Sequence, residues 1–257
     1  MTAFLPPSAD ESRMPITGHL EELRSRLIKV LWAVLGGMAL AYAVSDVLIG
    51  WLKRPLAADL YFFSPTEAFW MTMKVSFFAG LFLSLPVILY QLWRFVGPGL
   101  LPGERRLALP FVLVGCLFFI LGLLFCYFIV APFALAFLVG FGTEQGLKPV
   151  FSIGLYIDFL LKFLLAFGVI FELPLVITIL AKLGLVTPQF LSRHRRYAVL
   201  ANAVLAAVLT PTADVFNMML MMLPLLLFYE LGIWGARFFG RKPLRSGTMV
   251  NEAGGKA

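Results

Sequence analysis

Long apolar runs alternate with short polar segments along most of the chain. A helix needs about 20 apolar residues to span a hydrocarbon core. The pattern predicts crossings over about residues 27–48, 71–96, 107–131 and 156–181. Two further apolar runs, 197–209 and 217–236, flank Thr210-Pro211-Thr212-Ala213-Asp214. At 1.5 Å per residue the first of these reaches only roughly 20 Å. That is short for a core about 30 Å thick, so local thinning of the bilayer or shielding by other helices is expected. The fold class predicted is an all-α membrane protein with six transmembrane helices. It divides into a cytoplasmic N-terminal segment with an amphipathic start (1–26), a membrane domain (27–236) and a basic, disordered tail (237–257).

The connections are rich in helix breakers. Gly97-Pro98-Gly99-Leu100-Leu101-Pro102-Gly103 precedes Glu104-Arg105-Arg106, and Gly140, Gly142, Gly146 and Pro149 mark an outer loop. Another irregular outer loop carries Trp51, Pro55, Tyr61, Phe62, Phe63 and Pro65. Ala39-Leu40-Ala41 has the small-x-small form of a leader cleavage site. The apolar run around it is longer than a leader's core, however, and a charged segment precedes it, so it reads as a permanent span. Lys and Arg concentrate in 1–26, 94–106, 182–196 and 237–257. The opposite loops hold Lys53, Arg54 and Lys148, with Lys74 and Lys162 near span ends. Positive residues stay on the cytoplasmic side, which places both termini there, in the inner membrane of the cell.

Composition agrees: 61% of residues are hydrophobic, 14% charged, and the mean hydropathy is +0.92. Soluble domains run nearer 45–50% apolar and about 25% charged. The net charge of +7 is accounted for by topology and attraction to anionic lipid, so no nucleic acid partner is expected. Cys116 and Cys126 sit in one apolar run and read as core hydrophobes. His19 and His194 lie in separate cytoplasmic segments without a nucleophile motif, and no metal-binding helix or phosphate loop occurs. No enzyme activity, metal or cofactor is expected.

Hydropathy leaves a few acids unexplained. Glu21 and Glu22 stand in a helix start whose Leu20, Leu23 and Leu27 form one stripe. Glu22 is either a helix-start acid paired with Arg26 four residues on, or, with Glu104 of the next cytoplasmic loop, half of a site for a cationic ligand. Glu172 lies past the middle of the fourth span, before Pro174. A carboxylate at that depth costs about 2.5–3.5 kcal/mol on insertion scales, so it must face a cavity, a partner or water, or be protonated. Lys162, ten residues before it, is roughly 15 Å away along the axis. Asp158 and Lys162, spaced i,i+4, are expected to pair. Asp214 follows a Thr-Pro turn, where an acid caps a helix. A small transporter using Glu172 as a proton relay is the rival reading, but no internal duplication relates 27–131 to 156–236. A purely structural scaffold would leave Glu172 without a reason.

Five motifs, in order over about residues 16–237, carry a resemblance. They are His19-Leu20-Glu21-Glu22-Leu23-Arg24-Ser25-Arg26-Leu27, Leu85-Pro86-Val87-Ile88-Leu89-Tyr90-Gln91-Leu92-Trp93-Arg94-Phe95, Glu104-Arg105-Arg106, Phe167-Gly168-Val169-Ile170-Phe171-Glu172-Leu173-Pro174, and Leu209-Thr210-Pro211 with Asp214-Val215-Phe216. Together they resemble the TatC family, the signal-peptide receptor of twin-arginine protein translocation. The resemblance implies a concave, glove-like arrangement of six helices with short fifth and sixth members. It implies that Glu22 and Glu104 bind the paired arginines of signal peptides on folded precursors, with Arg24 and Phe95 in the same patch. Glu172 matches a membrane-embedded acid on the concave side, and Pro55, Phe69 and Asp214 match functional outer positions. Implied partners are TatA- and TatB-like single-span subunits, which dock on the fifth and sixth helices, further copies in a multimeric receptor complex, and a proton-gradient-driven transport cycle. Two departures stand out. The last turn has one residue more than the family's Thr-Pro-Pro-Asp, and Met218 occupies a position that is polar in some relatives.

Overall fold

The computed structural model describes residues 16–56, 58–97, 108–210, 212 and 214–239. The first crossing is α1 (Ile16–Ala43), continued by α2 (Ser45–Leu52). Helix α1 starts inside the polar N-terminal segment and runs without a break through residues 26 and 27. The second crossing is α3 (Glu67–Leu83) and α4 (Leu85–Val96), bent by 50° between them. Pro86, in the first turn of α4, removes the amide that would continue the ladder, which bends the helix here.

The third crossing corrects the expected boundary near residue 131. Helix α5 (Ala108–Phe125) passes through a π turn (Cys126–Val130) into α6 (Ala131–Glu144), giving 37 continuous residues. That is about 56 Å of helix, far more than the bilayer requires. Pro132 falls in the first turn after the wide π turn, where a proline is tolerated. Gly140 and Gly142, expected in a loop, therefore lie within α6.

The fourth crossing is α7 (Ile153–Phe171) and α8 (Leu173–Lys182), interrupted at Glu172 before Pro174. A short helix, α9 (Pro188–Arg193), follows, its start capped by the Thr187 hydroxyl. Helix α10 (Arg195–Leu209) has 15 residues, as short as its apolar run predicted. Helix α11 (Val215–Phe239) has 25 residues, longer than expected for the sixth span. An Arg195–Glu230 ion pair at 2.7 Å ties α10 to α11. Four described helices are long and apolar enough to cross alone, and the bent α3–α4 pair makes five. The 15-residue α10 supplies the sixth crossing.

Packing runs along the wall in sequence: α1 on α3 and α4, α4 on α5, α3 and α5 on α7, α8 on α11, and α11 on α10. Among the described residues α1 makes no substantial contact with α10 or α11, so the helices form an open wall, not a closed bundle. Helix α7 is its centre, with Ile157, Leu160, Phe163 and Phe167 fully buried. Trp32, Leu40 and Val208 are each at least 70% exposed, which places them against lipid.

Small residues set the closest approaches, as is usual where lipid supplies no hydrophobic drive. A side chain on Gly37 would lie 2.7 Å from the Gly80 carbonyl, and one on Gly80 would strike the Met38 backbone. Beside them the Ser84 hydroxyl sits 2.8 Å from both the Ala33 and Gly80 carbonyl oxygens. Gly122 and Gly168 play the same part between α5 and α7.

The loop after α2 and the loop after α6 are joined, not independent. Strand β1 (Leu60–Tyr61) pairs in parallel with β2 (Phe151–Ser152). The Glu67 carboxylate accepts hydrogen bonds from the Phe63 amide (2.7 Å), the Gly154 amide (2.8 Å) and the Ser152 hydroxyl. Asp158 does not pair with Lys162 as expected. It pairs with Lys74 of α3 at 2.7 Å, because α3 packs along α7 and brings that ammonium to it.

Candidate functional site

The end of the wall where α1 starts and α4 finishes gathers residues from both helices. Arg26 reaches back one turn to Glu22, its Nε donating to Oε1 at 3.1 Å and its Nη2 to the same oxygen. Its Nη1 donates to Gln91 Oε1 at 3.3 Å, tying α1 to α4. His19 stacks on Phe95 with ring centroids 4.3 Å apart, and its Nδ1 lies 3.8 Å from Glu22 Oε2. That oxygen is covered and accepts no hydrogen bond among the described residues. The carboxylate thus has one oxygen committed to Arg26 and one uncommitted. Such a group can take a second cation, and guanidinium groups suit it because they donate in a planar fork.

Of the residues expected here, Glu22 and Phe95 come together through His19. Arg24 is exposed and lies two residues from Glu22, on the other side of α1, so it is not part of this cluster. Glu104, with Arg105 and Arg106, lies outside the described residues. Its loop leaves from the end of α4, next to Phe95. His19, Arg26 and Gln91 were not singled out as site residues. The i,i+3 and i,i+4 spacing of His19 and Arg26 around Glu22 was the available signal.

Glu172 occupies the break between α7 and α8, half buried. A side chain at Gly115 would sit 3.3 Å from Glu172 Oε2, so the carboxylate lies against α5 where that glycine leaves room. Its Oε1 is covered and accepts no hydrogen bond among the described residues.

The outer candidates fall on three separate segments. Pro55 is half buried in the turn after α2. That turn is anchored by Tyr127 and Tyr156, whose hydroxyls donate to the Trp51 and Leu52 carbonyls at 2.7 Å each. The Trp51 carbonyl also accepts the Arg54 amide at 3.1 Å, so the helix end is held from both sides. Phe69 is 58% exposed, edge-on to Trp70 in the first turn of α3. Asp214 caps α11: Oδ1 accepts from the Asn217 amide at 2.7 Å and Oδ2 from its side-chain amide at 2.8 Å. The same side-chain amide donates to Thr212 at 3.1 Å. Met218 packs on the main core instead of presenting a polar group.

The cap makes a prediction. Asp214→Ala should lower stability by about 1 kcal/mol, read as a drop in the thermal midpoint in detergent. Burial alone would raise the Asp214 pKa, but hydrogen bonds from Asn217 and Thr212 hold it below the usual aspartate value. The cap's contribution is therefore fully present above about pH 4. It disappears as pH falls through the lowered value, so the gap between wild type and variant should close only in acid.

Among the described residues no group of three His, Cys, Asp or Glu side chains is placed to hold a metal ion. Residues 18–224 match the family model described as Sec-independent protein translocase protein (TatC). A curated relative of that name from Desulforapulum autotrophicum is 42% identical over 241 residues, covering 91% of this chain and 88% of the relative. One from Aquifex aeolicus is 42% identical over 246 residues, covering 93% and 100%. A solved structure described as the twin-arginine translocase receptor TatC superposes with a TM-score of 0.76 at 40% identity, over 86% of this chain and 98% of that one. A second, in the detergent DDM, gives 0.77 at 41%, over 87% and 100%. The resemblance carried by the five motifs thus extends through sequence, length and three-dimensional course, and the chain belongs to the TatC family of six-helix, glove-shaped membrane proteins.

Proposed function

We propose that this chain is the receptor subunit of a twin-arginine translocase, a transport component and not an enzyme, set in the cytoplasmic membrane with both termini inside. Family membership and the receptor description of its solved relatives support the role. The observation that carries the site is the Glu22 carboxylate, with one oxygen on Arg26 and the other covered but unpaired, beside the stacked His19–Phe95 rings.

Arg26 holds the place that an incoming guanidinium would take or share. A precursor's first arginine binds Glu22, and its second binds Glu104 in the adjoining loop. Two carboxylates reward two guanidiniums and leave a single arginine half satisfied, which gives selectivity for the pair. Phe95 offers an aromatic face to the leader, and exposed Arg24, on the opposite face of α1, adds positive charge to the surrounding surface. The leader's apolar stretch then lies along the open wall, past Glu172. Single-span TatA- and TatB-like subunits join at α10 and α11, beside the short α10 crossing, and copies of the receptor assemble around them. The proton gradient drives transport. Pro55, Phe69 and Asp214 act on the outer side by holding the loop ends.

The test is photocrosslinking of a twin-arginine signal peptide to the full-length protein in membranes. Glu22→Ala and Glu104→Ala should each weaken capture about thirtyfold or more, since truncating one partner of a charged pair typically costs about 2–5 kcal/mol. Unchanged capture by both variants would overturn the site.

A further inference from the structure

A slot of about 630 Å³ opens between α5, α8 and α11, lined among others by Phe111, Val114, Leu121, Thr178, Leu231 and Lys182. It lies within the size range of small-molecule sites. Its shape is set by the bilayer. The stretch of α5 from Pro110 to Leu121 that forms one wall is about 16 Å long, half of a core about 30 Å thick. At one end the slot closes against Phe171 and Phe228, whose rings meet at 4.4 Å. At the other end stand Lys182, the last residue of α8, and Phe239, the last of α11, with Lys182 Nζ 5.8 Å from the ring centroid. Among the described residues Lys182 is the charged residue of the lining, and no carboxylate shares it. Val114, Leu121 and Leu231 are partly exposed, so the slot opens sideways to acyl chains.

We propose that this slot binds an anionic glycerophospholipid of the inner leaflet, one acyl chain lying along α5 and the phosphate resting on Lys182. Depth selects this occupant. A membrane-spanning partner helix or a leader's apolar stretch needs a groove continuing past mid-bilayer, whereas an acyl chain ends where Phe171 and Phe228 close this one. Charge selects the headgroup, because a cation at the rim of an apolar cleft suits a phosphate. The site also bridges α8 and α11 to α5, so its occupant would fill the gap between the third and sixth crossings. The inference rests on the orientation of the chain and not on leader binding by Glu22.

Native mass spectrometry of the full-length, delipidated protein in detergent tests it, with phosphatidylglycerol and phosphatidylcholine of matched chains as probes. Wild type should retain phosphatidylglycerol several-fold more strongly than phosphatidylcholine. Lys182→Gln should lose about fivefold in affinity for phosphatidylglycerol, the weight of one interfacial cation, while Lys182→Arg keeps it. Val114→Trp, which fills the slot from a partly exposed position, should exclude the lipid without lowering the thermal midpoint. Equal retention of the two lipids by wild type, a comparison that needs no variant, would overturn the proposal. So would undiminished phosphatidylglycerol binding by Lys182→Gln, or displacement of the lipid by a twin-arginine leader peptide in stoichiometric amount.

Discussion

Gly80→Leu should prevent the chain from accumulating as a folded membrane protein. A side chain at this position meets the backbone of Met38 and Gly37 on α1, not a mobile side-chain tip. Overfilling a packed interior ordinarily costs about 1–3 kcal/mol because neighbours turn aside. Here the obstacle is a helix backbone, so the cost falls at or above the top of that range, and the α1–α3 interface must separate. The Ser84 hydrogen bond to the Ala33 carbonyl, on the same seam, would be lost with it. Gly36→Ala is the matched control, since nothing lies within 4 Å of a side chain there. Replacing an interior helix glycine by alanine in open space should gain up to about 1 kcal/mol. Thermal unfolding in detergent, with membrane accumulation, separates the two, and a Gly80→Leu protein as stable as wild type would show that the close approach is not real.

Glu172→Leu should move stability and function in opposite directions. Leucine nearly matches the side chain in volume but removes a carboxylate with a covered, unpaired oxygen from membrane depth. Insertion scales assign such an acid about 2.5–3.5 kcal/mol of cost, so the thermal midpoint should rise by an amount on the order of 2 kcal/mol in stability. Transport of a twin-arginine precursor into vesicles should fall to background if the acid serves the cycle as proposed. A lower midpoint would mean that the carboxylate is fully hydrogen bonded in the native protein. Retained transport would assign the acid to structure alone.

How much of this was legible in the sequence depends on how local the cause is. The Glu22–Arg26 pair and the Asp214 cap follow from spacings of three and four residues, and both stand in the structure. The short α10 followed from counting apolar residues. What failed was decided between distant segments or against local propensity. The Asp158 partner came from α3, 84 positions away, where sequence offers only Lys162 four residues on. The stacking of His19 on Phe95 and the Gly37–Gly80 contact depend on which helices pack together, which hydropathy does not encode. The third helix ran on because its breakers were absorbed: Pro132 follows a π turn, and Gly140 and Gly142 are carried inside α6. The outer clasp of Glu67 needed the β1–β2 pairing, a two-residue match invisible in strand patterning.

That π turn has a mechanical consequence. Before it, Gly115, Phe119 and Gly122 are turned inward, within it Cys126 and Val130, and beyond it Ala131, Ala134 and Leu135. One additional residue in a turn resets a helix's angular phase by about 100°, so the insertion works as a coupling that keeps both halves facing the interior along a rod too long for ordinary helical drift. Losing that residue would swivel everything above it as a block, carrying Phe137 off its 4.0 Å stack on Phe216. The upper and lower halves of the longest helix are thus steered separately, and the outer face of the protein can be re-aimed without disturbing what lies inside the bilayer.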